Sequence, residues 1–259
     1  TAPGYSQDPL AEHDTANPGL LHKYHSRVLL IVKGGCAVNC RYCFRRHFPY
    51  ADNSLSNAEL ENNIAYIAAD PAIDEVILSG GDPLMAKDSK LAALAEKIAA
   101  IPHVKRLRIH TRLPVVMPSR LDASFYRWFA GLPVQRVLVL HINHANEVSA
   151  ELTEKLAPLR QAGVTVLNQA VLLKGVNDTA DTQAQLNEKV FAAGIMPYYL
   201  HLLDKVQGAA HFDIDVEQAR EIMAGVIKRL PGFMVPKLVT EIGGQPGKTP
   251  VDLRLYPQD

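Results

Sequence analysis

Cysteine is scarce in this chain of 259 residues: there are three, Cys36, Cys40 and Cys43, and none elsewhere. So few, and an odd number, exclude a disulfide framework, because any pair leaves one thiol over and spans too short a window to staple a fold. No run of 18 apolar residues exists, so no hydrophobic membrane span is expected. The start shows no secretory signal pattern. Excess charge is missing too: Lys plus Arg equals Asp plus Glu at 27 each, which gives no global case for nucleic acid or an anionic membrane. What remains is 47% hydrophobic and 21% charged, the composition of a soluble globular protein with length enough for one core. Clustered free thiols fit a reducing compartment, and the cytoplasm is expected. The sequence begins with Thr1 rather than methionine, so the natural N-terminus is expected to be missing, with any targeting segment it held.

Acid is absent locally. Residues 15–51 contain no Asp or Glu but hold Lys23, Arg27, Lys33, Arg41, Arg45 and Arg46, with His22, His25 and His47. That is an anion-collecting stretch. A nucleic-acid patch or a solvated face would give the same composition. Here, however, the charges surround the cysteines and an apolar run rather than an exposed helix.

The cysteines are spaced Cys-x3-Cys-x2-Cys within KGGCAVNCRYCFRRHFPY, residues 33–50. Three thiolates on one loop can hold three irons of a [4Fe–4S] cube and leave the fourth open to a small molecule. The competing reading is a Cys3His zinc module with His47 as fourth ligand. Zinc knuckles, though, pair Cys-x2-Cys units far apart, and no second pair exists.

Along the chain, residues 1–19 read as an extended arm rich in Pro, Gly and Asp. Six apolar runs follow as strands: 27–33, 75–78, 105–111, 135–142, 164–172 and 196–203. Six helical stretches alternate with them: 55–69 with Ser56 as a possible N-cap, 89–100, 122–130, 147–162 stopped at Gly163, 181–193 ended by Gly194, and 216–230. Such alternation implies right-handed crossovers and a parallel α/β sheet. A full barrel needs eight repeats. Six fit an open doubly wound sheet or a partial barrel equally well from pattern alone. Residues 231–259 lose helical period and read as a segment closing one end.

In parallel α/β folds the working residues gather where strands end. The second strand ends in Ser79-Gly80-Gly81-Asp82-Pro83, either an ordinary turn or a place where backbone approaches a ligand. The fourth ends in His141-Ile142-Asn143-His144, whose imidazoles serve packing or binding equally. The fifth carries Asn168 and Gln169. The sixth leads to Asp204, which can pair with Lys205, cap a helix or meet a cation. Lys248, in Gly-Lys-Thr-Pro, is surface decoration unless the loop shelters it.

The cysteine motif resembles that of the radical S-adenosylmethionine enzymes. Together with SGGDPL, HINHANE, NQAVLLKGVND and GKTP, the chain from about Pro18 to Leu253 resembles the lysine 2,3-aminomutase family. Within it the likeness is to the branch that makes (R)-β-lysine for modifying elongation factor P. The resemblance implies a (β/α)6 partial TIM-like barrel over 27–230, an arm over 1–26, and a closing segment over 231–259 that carries the lysine for pyridoxal 5′-phosphate. It implies a [4Fe–4S] cluster on Cys36, Cys40 and Cys43. S-adenosylmethionine would be held by Ser79, Gly80, Gly81, Asp82, His141 and Gln169. The pyridoxal phosphate would sit on Lys248, its phosphate at Lys23, Tyr24 and Arg27. Lys23 stands where the family has arginine, which keeps charge but loses a bidentate fork. Arg45 would take the substrate carboxylate, while Asp204 and Glu241 take the distal ammonium. Glu241 stands where the family has aspartate, so pocket depth is expected to differ. The implied activity is an isomerase turning L-α-lysine into β-lysine, with a reducing electron donor and links to elongation factor P and its lysyl ligase. Glutamate or arginine 2,3-aminomutation is the neighbouring alternative. No cysteines remain for a C-terminal zinc site, so an assembly built on one is not expected.

Overall fold

The computed structural model describes residues 2–13, 17–50 and 56–255. One sheet of nine strands organises them, in the order β1 to β9. The strands are β1 Leu20–Tyr24, β2 Arg27–Lys33, β3 Glu75–Gly80, β4 Arg106–Thr111, β5 Gln135–Leu140, β6 Thr165–Val171, β7 Met196–His201, β8 Lys237–Thr240 and β9 Thr249–Pro250. Strands β2 to β8 are parallel to their neighbours, and β1 and β9 are antiparallel at the two edges. Chain order equals spatial order throughout. A doubly wound sheet reverses its strand order at a switch point. This one never does, so every right-handed crossover lays its helix on the same face and the sheet curls as part of a barrel.

The helices are α1 Asn57–Ala69, α2 Asp88–Ala99, α3 Leu113–Val116, α4 Ala123–Ala130, α5 Ala150–Gln161, α6 Ala180–Ala192 and α7 Val216–Arg229. Ser56 caps α1 in a reciprocal box with Glu59. The expected start at Leu55 lies outside the described residues. The helix expected from Glu147 begins instead at Ala150, because Ser149 caps it. Glu147 is used elsewhere: its carboxylate accepts from the Asn143 and His144 amides at 2.9 and 3.0 Å.

Two expectations change at the edges. Leu20–Tyr24, read as part of an arm, is a strand. Leu20 and Leu21 bury against β2, and Tyr24 pairs directly with Arg27 across a tight hairpin. The closing segment likewise supplies β8 and β9, with Thr240 opposite Thr249. Both strands are short and polar enough to hide from a periodicity reading.

Side-chain alternation builds the rest. In β4, Leu107, Ile109 and Thr111 are buried while Arg106, Arg108 and His110 are half-buried. Of the first set, Leu107 and Ile109 join the main apolar core with Leu91, Leu94 and Ile98 of α2 and Phe125 and Phe129 of α4, while Thr111 lines the cavity. The second set faces inward, where a cavity replaces the packed interior of a closed barrel.

Candidate active site

The cavity measures about 500 Å³, within the usual range for a small-molecule site, and runs along the strands from Arg27, Glu75 and Arg106 at their starts to Thr111, Val171 and His201 at their ends. Its wall includes Cys36, Cys40 and Cys43 together with Asp204, Glu241 and Lys248.

The cysteine loop follows β2 and is held from several directions. Gly81 donates its amide to Lys33 O at 2.7 Å, and Asp82 donates to Gly35 O at 3.0 Å. A Cβ on Gly81 would meet Gly35 O at 2.6 Å, so only glycine lets the end of β3 lie against this loop. Gly80 has φ +127°, a conformation L side chains rarely adopt. Tyr50 bonds Gly80 O at 2.9 Å. Tyr42, between the second and third cysteines, receives Arg112 Nη1 at 2.5 Å and Asn143 Nδ2 at 2.6 Å. Phe44 and Tyr42 pack on a small apolar cluster with Leu173, Leu203 and Val206.

All three cysteines are free thiols. Burial, then the charges of Asp82 and the other cysteines, push the Cys36 thiol up to about 11. Burial raises the Cys43 thiol as well, and a metal's positive charge is what would ionise such groups. Among the described residues no three His, Cys, Asp or Glu side chains converge as for one ion.

Arg45 is buried at 8% exposure. Its Nε and Nη2 grip Glu12 at 2.6 and 3.2 Å, and its Nη1 reaches Ser79 Oγ at 3.1 Å. Lys23 Nζ lies 2.9 Å from the same Glu12 carboxylate and 3.5 Å from Glu241. Glu241 also pairs with Lys248 and accepts from Tyr24 Oη at 3.0 Å. A chain of alternating charge, Arg45–Glu12–Lys23–Glu241–Lys248, thus runs from the cysteine loop to the Gly-Lys-Thr-Pro loop. Burial raises the Glu12 and Glu241 pKa values, but their cationic neighbours outweigh it and hold both carboxyls below the usual range. Arg27 stacks its guanidinium 4.1 Å over the Tyr24 ring.

Asp204 is different. It forms no pair with Lys205 among the described residues. Burial, then the Glu241 charge, raises its pKa to about 7 against the pull of Lys248. Among the described residues no ion pair holds it, although the charges of Lys248 and Lys23 pull its pKa down, and a raised carboxyl of this kind suits a cation.

The remaining expected residues divide. Gln169 and His141 line the cavity, and burial drops the His141 pKa to about 4. His144 instead caps Asn146 at 3.2 Å. Asn168 clasps the Ile142 backbone at 3.0 and 3.1 Å. Both Asp82 oxygens are engaged inside the protein, by Thr111 at 2.7 Å and by the Leu84, Arg112 and Leu113 amides at 2.8 to 3.0 Å. Its carboxylate ties the β3 end to α3 rather than pointing free into the cavity. Sequence reasoning missed Glu12, Tyr42, Arg112, Asn143, and the inward Arg108, His110 and His201. For those last three the signal existed: polar residues at every second position of a strand. Nε2 of His110, His141 and His201 and Nε of Arg108 are buried without partners, polar atoms that a water or ligand would satisfy.

The fold and the site together define a radical S-adenosylmethionine enzyme, and residues 30–182 match the sequence profile of the Radical SAM superfamily. The chain is 57% identical over 257 residues to the L-lysine 2,3-aminomutase of Escherichia coli K12, covering 99% of this chain and 75% of that protein. It is 53% identical to the enzyme of the same name from Haemophilus influenzae, covering 96% and 74%. It is 38% identical to that of Clostridium subterminale, covering 95% and 59%. A radical SAM methyltransferase from Sphaerobacter thermophilus shares the fold at TM-score 0.56 and 17% identity, over 85% of this chain and 68% of that one. The chain belongs to the lysine 2,3-aminomutase family of radical SAM enzymes.

Proposed function

We propose that this enzyme converts L-α-lysine into (R)-β-lysine, using a [4Fe–4S] cluster on Cys36, Cys40 and Cys43, S-adenosylmethionine, and pyridoxal 5′-phosphate on Lys248. The observation that carries the reading is one cavity lined by three thiols, a lysine amine and the raised carboxyl of Asp204, which makes no ion pair among the described residues. When bound, these groups supply hydrogen-atom abstraction and an electron sink for nitrogen migration.

The chain's own residues position and shield. Lys248 is 19% exposed in its side chain and held at the wall by Glu241, a sheltered amine of the kind covalent chemistry needs. Lys23, Tyr24 and Arg27 form the basic, hydroxyl-bearing corner for a phosphate. Asp204 meets the distal ammonium of the substrate. Its raised pKa falls when that cation arrives, so binding and ionisation reinforce each other. Glu241 adds a second carboxylate. A glutamate side chain would bring an anion to the same two carboxylates, which argues against that substrate. Arg45 faces the α-carboxylate. Ser79, Gly80, Gly81, Gln169 and His141 present backbone and polar side chains to S-adenosylmethionine, with Asp82 fixing that loop. In this layout residues 1–26 lead in along the edge strand β1, 27–230 form most of the barrel, and 231–259, which adds β8 and β9, brings Lys248 to the mouth.

Clustered free thiols support a reducing, cytoplasmic setting, in which a dedicated electron donor would serve the cluster. The product would feed modification of elongation factor P through a lysyl ligase. Among the described residues no helix is long and apolar enough to cross a membrane.

Anaerobic reconstitution followed by assays for iron, sulfide and pyridoxal tests the reading. Cys40→Ala is expected to lose iron. Lys248→Ala is expected to keep iron and lose borohydride-trappable cofactor. Incubating the reduced holoenzyme with lysine, arginine and glutamate in turn separates the substrates. A product from glutamate alone would overturn the assignment of Asp204.

A further inference from the structure

Glu12 belongs to the N-terminal arm, 11 residues before the nearest cation it touches, yet it is 5% exposed and lines the cavity. Its position is built rather than incidental. Asp8 accepts from the Glu12 and His13 amides at 2.8 and 2.9 Å, fixing the turn that delivers the carboxylate. Leu10 beside it is buried, and Leu10 O accepts from Lys23 Nζ at 3.2 Å. Further out, Ser6 bonds Lys205 O and accepts from the Gln207 amide, at 3.0 and 2.8 Å. Tyr5 bonds Asp213 at 2.6 Å. An arm stitched down at so many points is not a plug that a ligand pushes aside.

The geometry at Arg45 gives the arm a role. Glu12 takes the Nε–Nη2 edge of the guanidinium. Nη1 bonds Ser79 Oγ at 3.1 Å, and its contact with Gly80 O, at 3.4 Å, is long. Among the described residues nothing bonds the second Nη2 hydrogen. On the Nη1–Nη2 edge the open donor is therefore that Nη2 hydrogen, and a carboxylate that displaced the long Gly80 contact would be held there by two parallel bonds. The same Glu12 carboxylate lies 2.9 Å from Lys23 Nζ. Lys23 has a looser partner in Glu241 at 3.5 Å, the one an incoming phosphate displaces most easily.

We propose that Glu12 is a positioning residue for anion recognition: it grips Arg45 by one edge and Lys23 by its ammonium, turning the other edge of Arg45 to the substrate carboxylate and fixing its spacing from the phosphate corner. This rests on the roles of Arg45 and Lys23 proposed above. Without Glu12 both cations keep their charge but lose their aim. Two uncompensated positive groups then swing apart.

The test uses Glu12→Ala, Glu12→Gln and Glu12→Asp in the full chain. Iron content and unfolding midpoint are measured first. Pyridoxal phosphate affinity is then read by absorbance titration of the metal-free protein, and KM and kcat for lysine on the reconstituted enzyme. The expected result for Glu12→Ala is a KM raised at least about tenfold, the scale of a lost hydrogen bond to a charged group. The fall in kcat is smaller, pyridoxal phosphate binds more weakly and iron content matches wild type, while the midpoint falls because Arg45 is left buried without its partner. Glu12→Asp, which keeps the charge, recovers part of the loss, and Glu12→Gln recovers less. Three results overturn the proposal. An unchanged KM denies the role. A lowered KM makes Glu12 an internal competitor instead. Loss of iron and stability in all three variants reduces it to a structural tie. A wild type that binds neither lysine nor pyridoxal phosphate sinks the reading of the site and the inference with it. Variants identical to a working wild type sink the inference alone.

Discussion

Asp204 carries the sharpest consequence at the level of one side chain. Its folded pKa, about 7, lies above the ordinary 3.8. A raised carboxyl favours its protonated form in the fold, so stability is highest below the unfolded value and declines as pH rises toward the folded one. Asp204→Asn removes that decline. In the cofactor-free protein it is expected to raise stability at about pH 8, by an amount on the order of 3 kcal/mol, and to change little near pH 4. Denaturant melts at the two pH values check this. The same variant is expected to lose the lysine-dependent gain in stability shown by wild type, since the cation then meets an amide. Asp82 behaves in the opposite way under mutation. Its oxygens serve four donors inside the protein. Asp82→Ala leaves those donors buried and empty, and is expected to cost about 3 kcal/mol of stability by chemical denaturation. Sequence alone flagged both acids as ligand-facing. It could not separate them, because the difference lies in which donors the fold brings near each carboxylate.

Among the elements, the contact that matters most is between two glycine pairs. Gly80 and Gly81 end β3, and Gly34 and Gly35 open the cysteine loop. Gly81→Ala forces a methyl group into the Gly35 carbonyl, and nothing there is a flexible side chain that can yield. The expected outcome is a loop pushed off its seat. Iron content after reconstitution falls severalfold while the far-ultraviolet circular dichroism of the barrel is kept. The strand pattern was legible because β3, uniformly buried, and β2, largely buried, read as apolar runs bounded by glycines. The hairpin Leu20–Tyr24 was not, since its LLHKY sequence splits between two buried leucines and three half-buried polar residues. Strands β8 and β9 were hidden for a related reason: four and two residues carry no period. The short helix α3 depends on Asp82 reaching in from another strand end to accept from the Arg112 and Leu113 amides, which no local reading reveals.

Across the whole molecule, the sheet is bounded by β1 at one edge and β9 at the other, and the two edges bring Lys23 and Lys248 to the same carboxylate, Glu241. Ile242 is exposed beside Gly243 and Gly244, with Gly247 next to Lys248. The loop's hold on the barrel therefore runs through β9 and Lys248. With Lys248 in its proposed role, loading with pyridoxal phosphate would add a covalent tie at that point. A protease without lysine specificity is expected to cut residues 242–247 readily in the cofactor-free protein and several times more slowly after loading, as timed by gel electrophoresis. The candidate chemistry was readable because motif residues sit at strand ends whatever the closure of the barrel. The alternating charges across the mouth were not readable, for they join an arm, a hairpin, a loop and an edge strand that lie far apart in the chain.

The glycine-on-glycine seat has one more consequence. The proposed socket for the metal is shaped by backbone contacts and by Tyr42, Tyr50 and Arg45, whose bonds here run to protein groups rather than to iron. Damage by oxygen should therefore strip the cargo and spare the container, and a poisoned molecule becomes serviceable again once ferrous iron and sulfide return, with no need to unfold and start over.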